Sequence, residues 1–199
     1  MQALQDAALD RFGDRGPALD LAGSTDSGIV AGMLAHFGVA AHPDEFSRFY
    51  ATYLERLEWN LADGGFEGRV LPGVVDMLET LAADELMTVG LLTGNIEGGA
   101  VAKMRHYGLD HYFGFGAYGC DFADRNRLGP VALERATEFA GREFSASETL
   151  VIGDTPKDIN CAKAMDARCL AVATGGFDVA ALELAGADRV VASLVGALA

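Results

Sequence analysis

Leu150-Val151-Ile152-Gly153-Asp154-Thr155-Pro156-Lys157-Asp158 is the stretch on which the fold turns. An apolar strand runs into a glycine turn, and two carboxylates follow where a helix begins. Open parallel sheets bind ligands just beyond the carboxyl ends of their strands, which is where this pair falls. Asp154 closes the strand, and Asp158 projects from the first helical turn four residues later. Two hard oxygen ligands at such a place suit Mg²⁺, which takes one or two carboxylates, several waters and substrate phosphate. A plainer reading also fits. Thr155-x-x-Asp158 with Pro156 at the first helical position is a well-formed helix N-terminus. Taken alone these nine residues favour the cap, so the rest of the chain has to decide.

Outward from this stretch, short apolar runs alternate with amphipathic helices. The pattern predicts helices over 72–81, 96–107, 130–140, 156–165 and 179–184, with a last helical turn at the end. It predicts strands over 86–92, 149–153, 169–173 and 189–191, and a weak one near 112–118. Strands alternating with helices indicate an α/β protein with a parallel sheet and right-handed crossovers. Before residue 68 the period is helical throughout, through Leu4, Ala8 and Phe12, then Ile29, Val30, Met33 and Phe37, then Phe46 to Leu57. Asp63-Gly64-Gly65-Phe66-Glu67-Gly68 reads as a hinge between an α-helical part, 1–66, and an α/β part, 67–199.

Composition bounds the function. The 199 residues suffice for one domain with a smaller appendage, and half of them are hydrophobic. A net charge of −14 argues against nucleic acid as a partner, because a phosphate backbone repels such a surface. Cys120, Cys161 and Cys169 show neither metal spacing nor a disulfide framework, which fits free thiols in a cytoplasmic protein. The sequence has no apolar run of membrane-spanning length, so no membrane partner is expected.

Two further elements carry chemistry. Gly90-Leu91-Leu92-Thr93-Gly94-Asn95 is a second apolar strand ending in small polar residues. Its hydroxyl and backbone N–H groups suit a phosphate oxygen, although Thr93 or Asn95 also serves as an N-cap. The other element is basic. Phosphoryl transfer needs a cation at the developing charge, and Arg127 lies three residues before Pro130, with Arg125 beside it. Two strings mislead. Gly114-Phe115-Gly116-Ala117-Tyr118-Gly119 matches a dinucleotide fingerprint but opens no amphipathic helix, and Cys120 has no histidine placed to activate it. The polar stretch Ala22 to Gly28 reads either as a substrate-facing loop or as an ordinary N-cap.

Thr93-Gly94-Asn95, then a basic residue before a proline-led helix, then Gly153-Asp154-x-x-x-Asp158 resemble the haloacid dehalogenase-like hydrolases, most closely their phosphoglycolate-phosphatase-like members. The resemblance runs over 69–199 and continues in Ala171-Val172-Ala173-Thr174-Gly175-Gly176. It implies a Rossmann-like parallel sheet with helices on both faces, and a helical cap over 1–66. It further implies a Mg²⁺-dependent phosphatase acting on a small phosphorylated metabolite through an aspartyl-phosphate. Thr93 would hydrogen-bond the phosphoryl group, with Gly94 and Asn95 at the substrate. Arg127 would stand for the family's lysine, which keeps the charge but alters its geometry. Asp154 would ligate the metal, and Asp158 would ligate it or orient its waters.

One departure is large. The family's attacking carboxylate sits on a strand ending Asp-x-Asp-Gly-Thr/Ser before the cap, and no Asp-x-Asp occurs in these 199 residues. Asp20 and Asp26 end no apolar strand and do not replace it. The resemblance therefore implies a truncated form, inactive as it stands, whose missing strand would lie between those ending at Thr93 and Gly153. Haloacid dehalogenation, or a non-catalytic binding role, are the alternatives.

Overall fold

The computed structural model describes residues 2–18, 22–62 and 68–197. Of the hinge expected over 63–68, residues 63–67 lie outside the described residues, as does Asp20. Three helices come first: α1 (Gln2–Phe12), α2 (Asp26–His36) and α3 (Pro43–Ala62). Proline opens α3, and Asp44 and Glu45 lie in its first turn, where the helix dipole favours negative charge. Its buried stripe, Phe49, Tyr53, Leu57 and Leu61, repeats every four residues and packs on Leu4, Ala7 and Ala8 of α1 and on Ile29, Val30, Met33 and Leu34 of α2. Phe12 stacks on Phe37 at 4.5 Å between ring centroids, closing the end of this core.

The remainder alternates helix and strand: α4 (Val74–Ala82), β1 (Leu91–Leu92), α5 (Glu97–His106), β2 (Gly116–Ala117), α6 (Leu128–Ala140), β3 (Leu150–Gly153), α7 (Pro156–Ala164), β4 (Arg168–Val172), α8 (Val179–Leu184) and β5 (Arg189–Val191). All pairings are parallel, with Leu91 opposite Gly116, Leu150 opposite Arg168 and Leu170 opposite Arg189. The α/β expectation holds, with one difference. The sheet is in two pieces, β1–β2 and β3–β4–β5, because β1 and β3 each pair on one side only among the described residues. Val151, Ile159, Cys169, Ala171 and Leu182 make the core of the three-stranded piece, while Leu150 and Ile152 alternate outward and are exposed.

The strand expected over 86–92 is regular only at its end. Leu86 and Met87 are exposed, and the ladder starts where Leu91 N–H reaches Phe115 O. The glycine-rich string at 114–119 forms β2 and a turn, and no α-helix opens before Leu128. No helix among the described residues is long and apolar enough to cross a membrane.

Candidate active site

Both site-like stretches end up as turns between a strand and a helix. After β3, Gly153 lets the chain fold back so closely that a Cβ there would sit 2.3 Å from Asp158 Cγ. Asp158 then closes a capping box on α7. Its Oδ2 accepts from Thr155 Oγ1 at 2.8 Å, Thr155 N at 3.0 Å and Asp154 N at 3.2 Å. Its Oδ1 accepts from Arg125 Nη2 at 2.5 Å. Both oxygens are thus engaged, and the side chain is buried. Asp154 is different. It is half-buried against Gly175, and burial, aided by the neighbouring Asp158 charge, pushes its carboxyl above the usual range.

After β1, Thr93 Oγ1 accepts from Asn95 Nδ2 at 3.0 Å and from Asn95 N at 3.2 Å. Asn95 Oδ1 in turn accepts from the ammonium of Lys103, one and a half turns into α5. Gly94 is buried and packed so tightly that a Cβ would lie 2.0 Å from Ser24 O and 3.1 Å from Arg125 Nη1. One guanidinium therefore touches both turns. Arg125 lies against Gly94, pairs with Asp158 and donates to Gly23 O at 3.3 Å, while its buried Nε has no partner among the described residues.

Arg127 is elsewhere. It is exposed, its guanidinium 3.7 Å from the ring centroid of Phe122. The two arginines belong to one 3₁₀ turn, Arg125–Arg127, started by Asp124 accepting from Asn126 N at 3.0 Å. With three residues per turn, positions two apart point to different sides. Spacing to Pro130 picks out Arg127, whereas the Asp124 cap is the local signal that swings Arg125 inward.

Residues 22–28 lie across this junction. Asp26 N donates to Gly94 O at 2.6 Å, and Asp26 Oδ2 accepts from Ile96 N at 2.8 Å. Thr25 Oγ1 donates to Ala123 O at 2.7 Å and caps α2 by accepting from Gly28 N. Lys157 Nζ donates to Ser24 Oγ at 2.7 Å. A cavity of about 440 Å³ opens beside this seam, lined by Ser24, Ile29, Asp124, Arg125 and Asn160 among others. Burial pushes the Asp26 carboxyl up, against the Ile96 N–H and Lys103, and pushes the Lys103 ammonium down, against the pull of Asp26. Neither residue is marked by the spacing of the two turns. The Cys120 thiol is raised by burial, the opposite of an activated nucleophile.

A profile of the haloacid dehalogenase-like hydrolases matches residues 30–172. The chain belongs to that family. Phosphoglycolate phosphatase 1 of Pseudomonas aeruginosa is 29% identical over 146 residues, 73% of this chain and 50% of that protein, so the chain spans half the length of this curated relative. A hydrolase from Pseudomonas syringae superposes with a TM-score of 0.69 at 24% identity, covering 98% of this chain and 87% of its own. CbbY from Rhodobacter sphaeroides, in complex with phosphate, gives 0.71 at 20% identity, covering 97% and 86%. At those identities the two structures speak for the haloacid dehalogenase-like fold alone.

The donor set offers Mg²⁺ a single carboxylate. Asp154 is free to ligate, Asp158 is engaged at both oxygens by Arg125, Thr155 and Asp154, and no group of three His, Cys, Asp or Glu among the described residues converges on a metal position. One carboxylate with water and a phosphate oxygen meets the lower limit of what Mg²⁺ uses.

Proposed function

We propose that this chain carries the phosphoryl-binding part of a small-molecule phosphomonoester hydrolase, with residues 1–66 as a cap over the core of 67–199. The observation that carries the reading is Arg125, one cation in contact with both strand-end turns. Arg125, rather than Arg127, takes the cationic role, and its unpartnered Nε is a donor that a bound anion would satisfy. Thr93 Oγ1 donates its proton to a phosphoryl oxygen. Asp154 would hold Mg²⁺, and the metal would supply charge neutralisation at the phosphoryl oxygens. Asp158 holds Arg125 and the start of α7 in place. The cap loop excludes water and reads the leaving group. The attacking carboxylate would be supplied by a further strand pairing beside β1 and β3, each of which pairs on one side only among the described residues. Free thiols at Cys120, Cys161 and Cys169 suit a reducing cytoplasm.

The test adds to the chain a synthetic peptide of apolar strand sequence ending Asp-x-Asp-Gly, and assays a panel of phosphate esters including phosphoglycolate. Hydrolysis that needs the peptide and disappears with EDTA is expected. Release of halide from a haloacid, insensitive to EDTA, would turn the reading to dehalogenation. Inertness towards every ester, with the peptide bound, would leave a binding protein.

A further inference from the structure

Lys103 is a partly buried ammonium with no carboxylate within ion-pairing distance among the described residues, and its one hydrogen bond goes to Asn95 Oδ1. A lysine ammonium only donates, so the Asn95 amide must turn its oxygen towards Lys103 and its NH₂ the other way. That NH₂ meets Thr93 Oγ1 at 3.0 Å, and the Asn95 backbone N–H meets the same oxygen at 3.2 Å. A hydroxyl has two acceptor positions and one proton. With both acceptor positions filled, the Thr93 hydroxyl is left as a pure donor, and among the described residues it donates to nothing.

We infer that Lys103 is a positioning residue: through the Asn95 amide it fixes the Thr93 hydroxyl as a donor, selecting an acceptor oxygen such as that of a phosphate dianion. Asp26 supports the same turn from the cap side, binding Gly94 O and Ile96 N on either side of Asn95. Without Lys103 the Asn95 amide is free to turn over. Its oxygen would then take the Thr93 proton, and the site would offer an anion a lone pair. The cost of burying an ammonium is what this orientation requires.

The inference rests on Thr93 as a phosphoryl contact, and the experiment separates the two. Inorganic phosphate is titrated calorimetrically into the 199-residue chain and its variants, with thermal melting to follow folding. Lys103→Met should weaken binding about tenfold, the scale of one hydrogen bond to a charged group. Lys103→Arg, which also only donates, should restore it. In an Asn95→Leu background, Lys103→Met should cost nothing further, because the path runs through Asn95. Losses that add would mean Lys103 acts by its own charge and would overturn the inference. Should Lys103→Met fail to fold, Asn95→Leu alone carries the prediction: unchanged phosphate affinity there overturns it. If Thr93→Val leaves affinity unchanged, or the unsubstituted chain binds no phosphate, the reading of the site falls and the inference with it. If Thr93→Val weakens binding and Lys103→Met does not, the inference alone falls.

Discussion

The turn after β1 and the turn after β3 share one sequence grammar and come out unlike. Each follows an apolar strand, carries small polar residues and starts a helix. After β3 the network closes on itself, since both oxygens of Asp158 are engaged, accepting from Arg125, Thr155 and Asp154. After β1 the network is open at one point, the Thr93 hydroxyl proton. A helix cap and a binding site are therefore not competing descriptions of such a motif. Asp158 is the cap and Asp154 the half-buried carboxylate of the same five residues, so the grammar locates a site without saying which residue works in it.

The sharpest way to break the contrast is to open the closed turn. Arg125→Met should destabilise the chain by about 3 kcal/mol in urea unfolding, because it leaves Asp158 buried without its cation. A cost near zero would show that Asp158 is not locked. Thr155→Val removes one donor to Asp158 and the acceptor of the Asp158 N–H, and should cost about 1–2 kcal/mol in the same assay.

Asp154→Asn should act in the opposite direction, raising stability by about 1 kcal/mol at neutral pH. Its folded carboxyl is raised, so the folded chain holds a proton that the unfolded chain has already lost, and stability falls as pH climbs through that window. The gain from asparagine should be complete above the raised value and vanish below the ordinary carboxylate range, as melting temperatures against pH would show. A loss of stability at neutral pH would mean that Asp154 has a partner in the fold. Smallest of all, Arg127→Ala should cost below about 1 kcal/mol, the scale of an exposed cation–π contact.

Much of the architecture was legible because period and punctuation agreed. The Thr155–Asp158 cap, the Pro156 start and the β4, α8 and β5 runs follow from local rules, and their ends fall within a residue of the pattern. What escaped depends on contacts distant in sequence. Arg125 is selected by a 3₁₀ turn and by Asp158, 33 residues away. Asp26 reaches Ile96 across 70 residues. Lys103 looks like any lysine in the last turn of a helix, where a cation favours the dipole, until the fold brings Asn95 beneath it. Leu86 and Met87 read as strand because they are apolar, yet they are exposed and have no ladder partner among the described residues.

The outward faces of Leu150 and Ile152, on a strand that pairs along one side only among the described residues, bear on the colloidal behaviour of the chain. An apolar strand with an unpaired edge is a template for another copy of itself, and what opposes that encounter is the like charge of two molecules at −14 each. Such repulsion reaches only about 8 Å at physiological ionic strength. Salt that leaves the fold intact therefore removes the barrier between free edges, and self-association should rise with ionic strength while the buried Arg125–Asp158 pair is little affected.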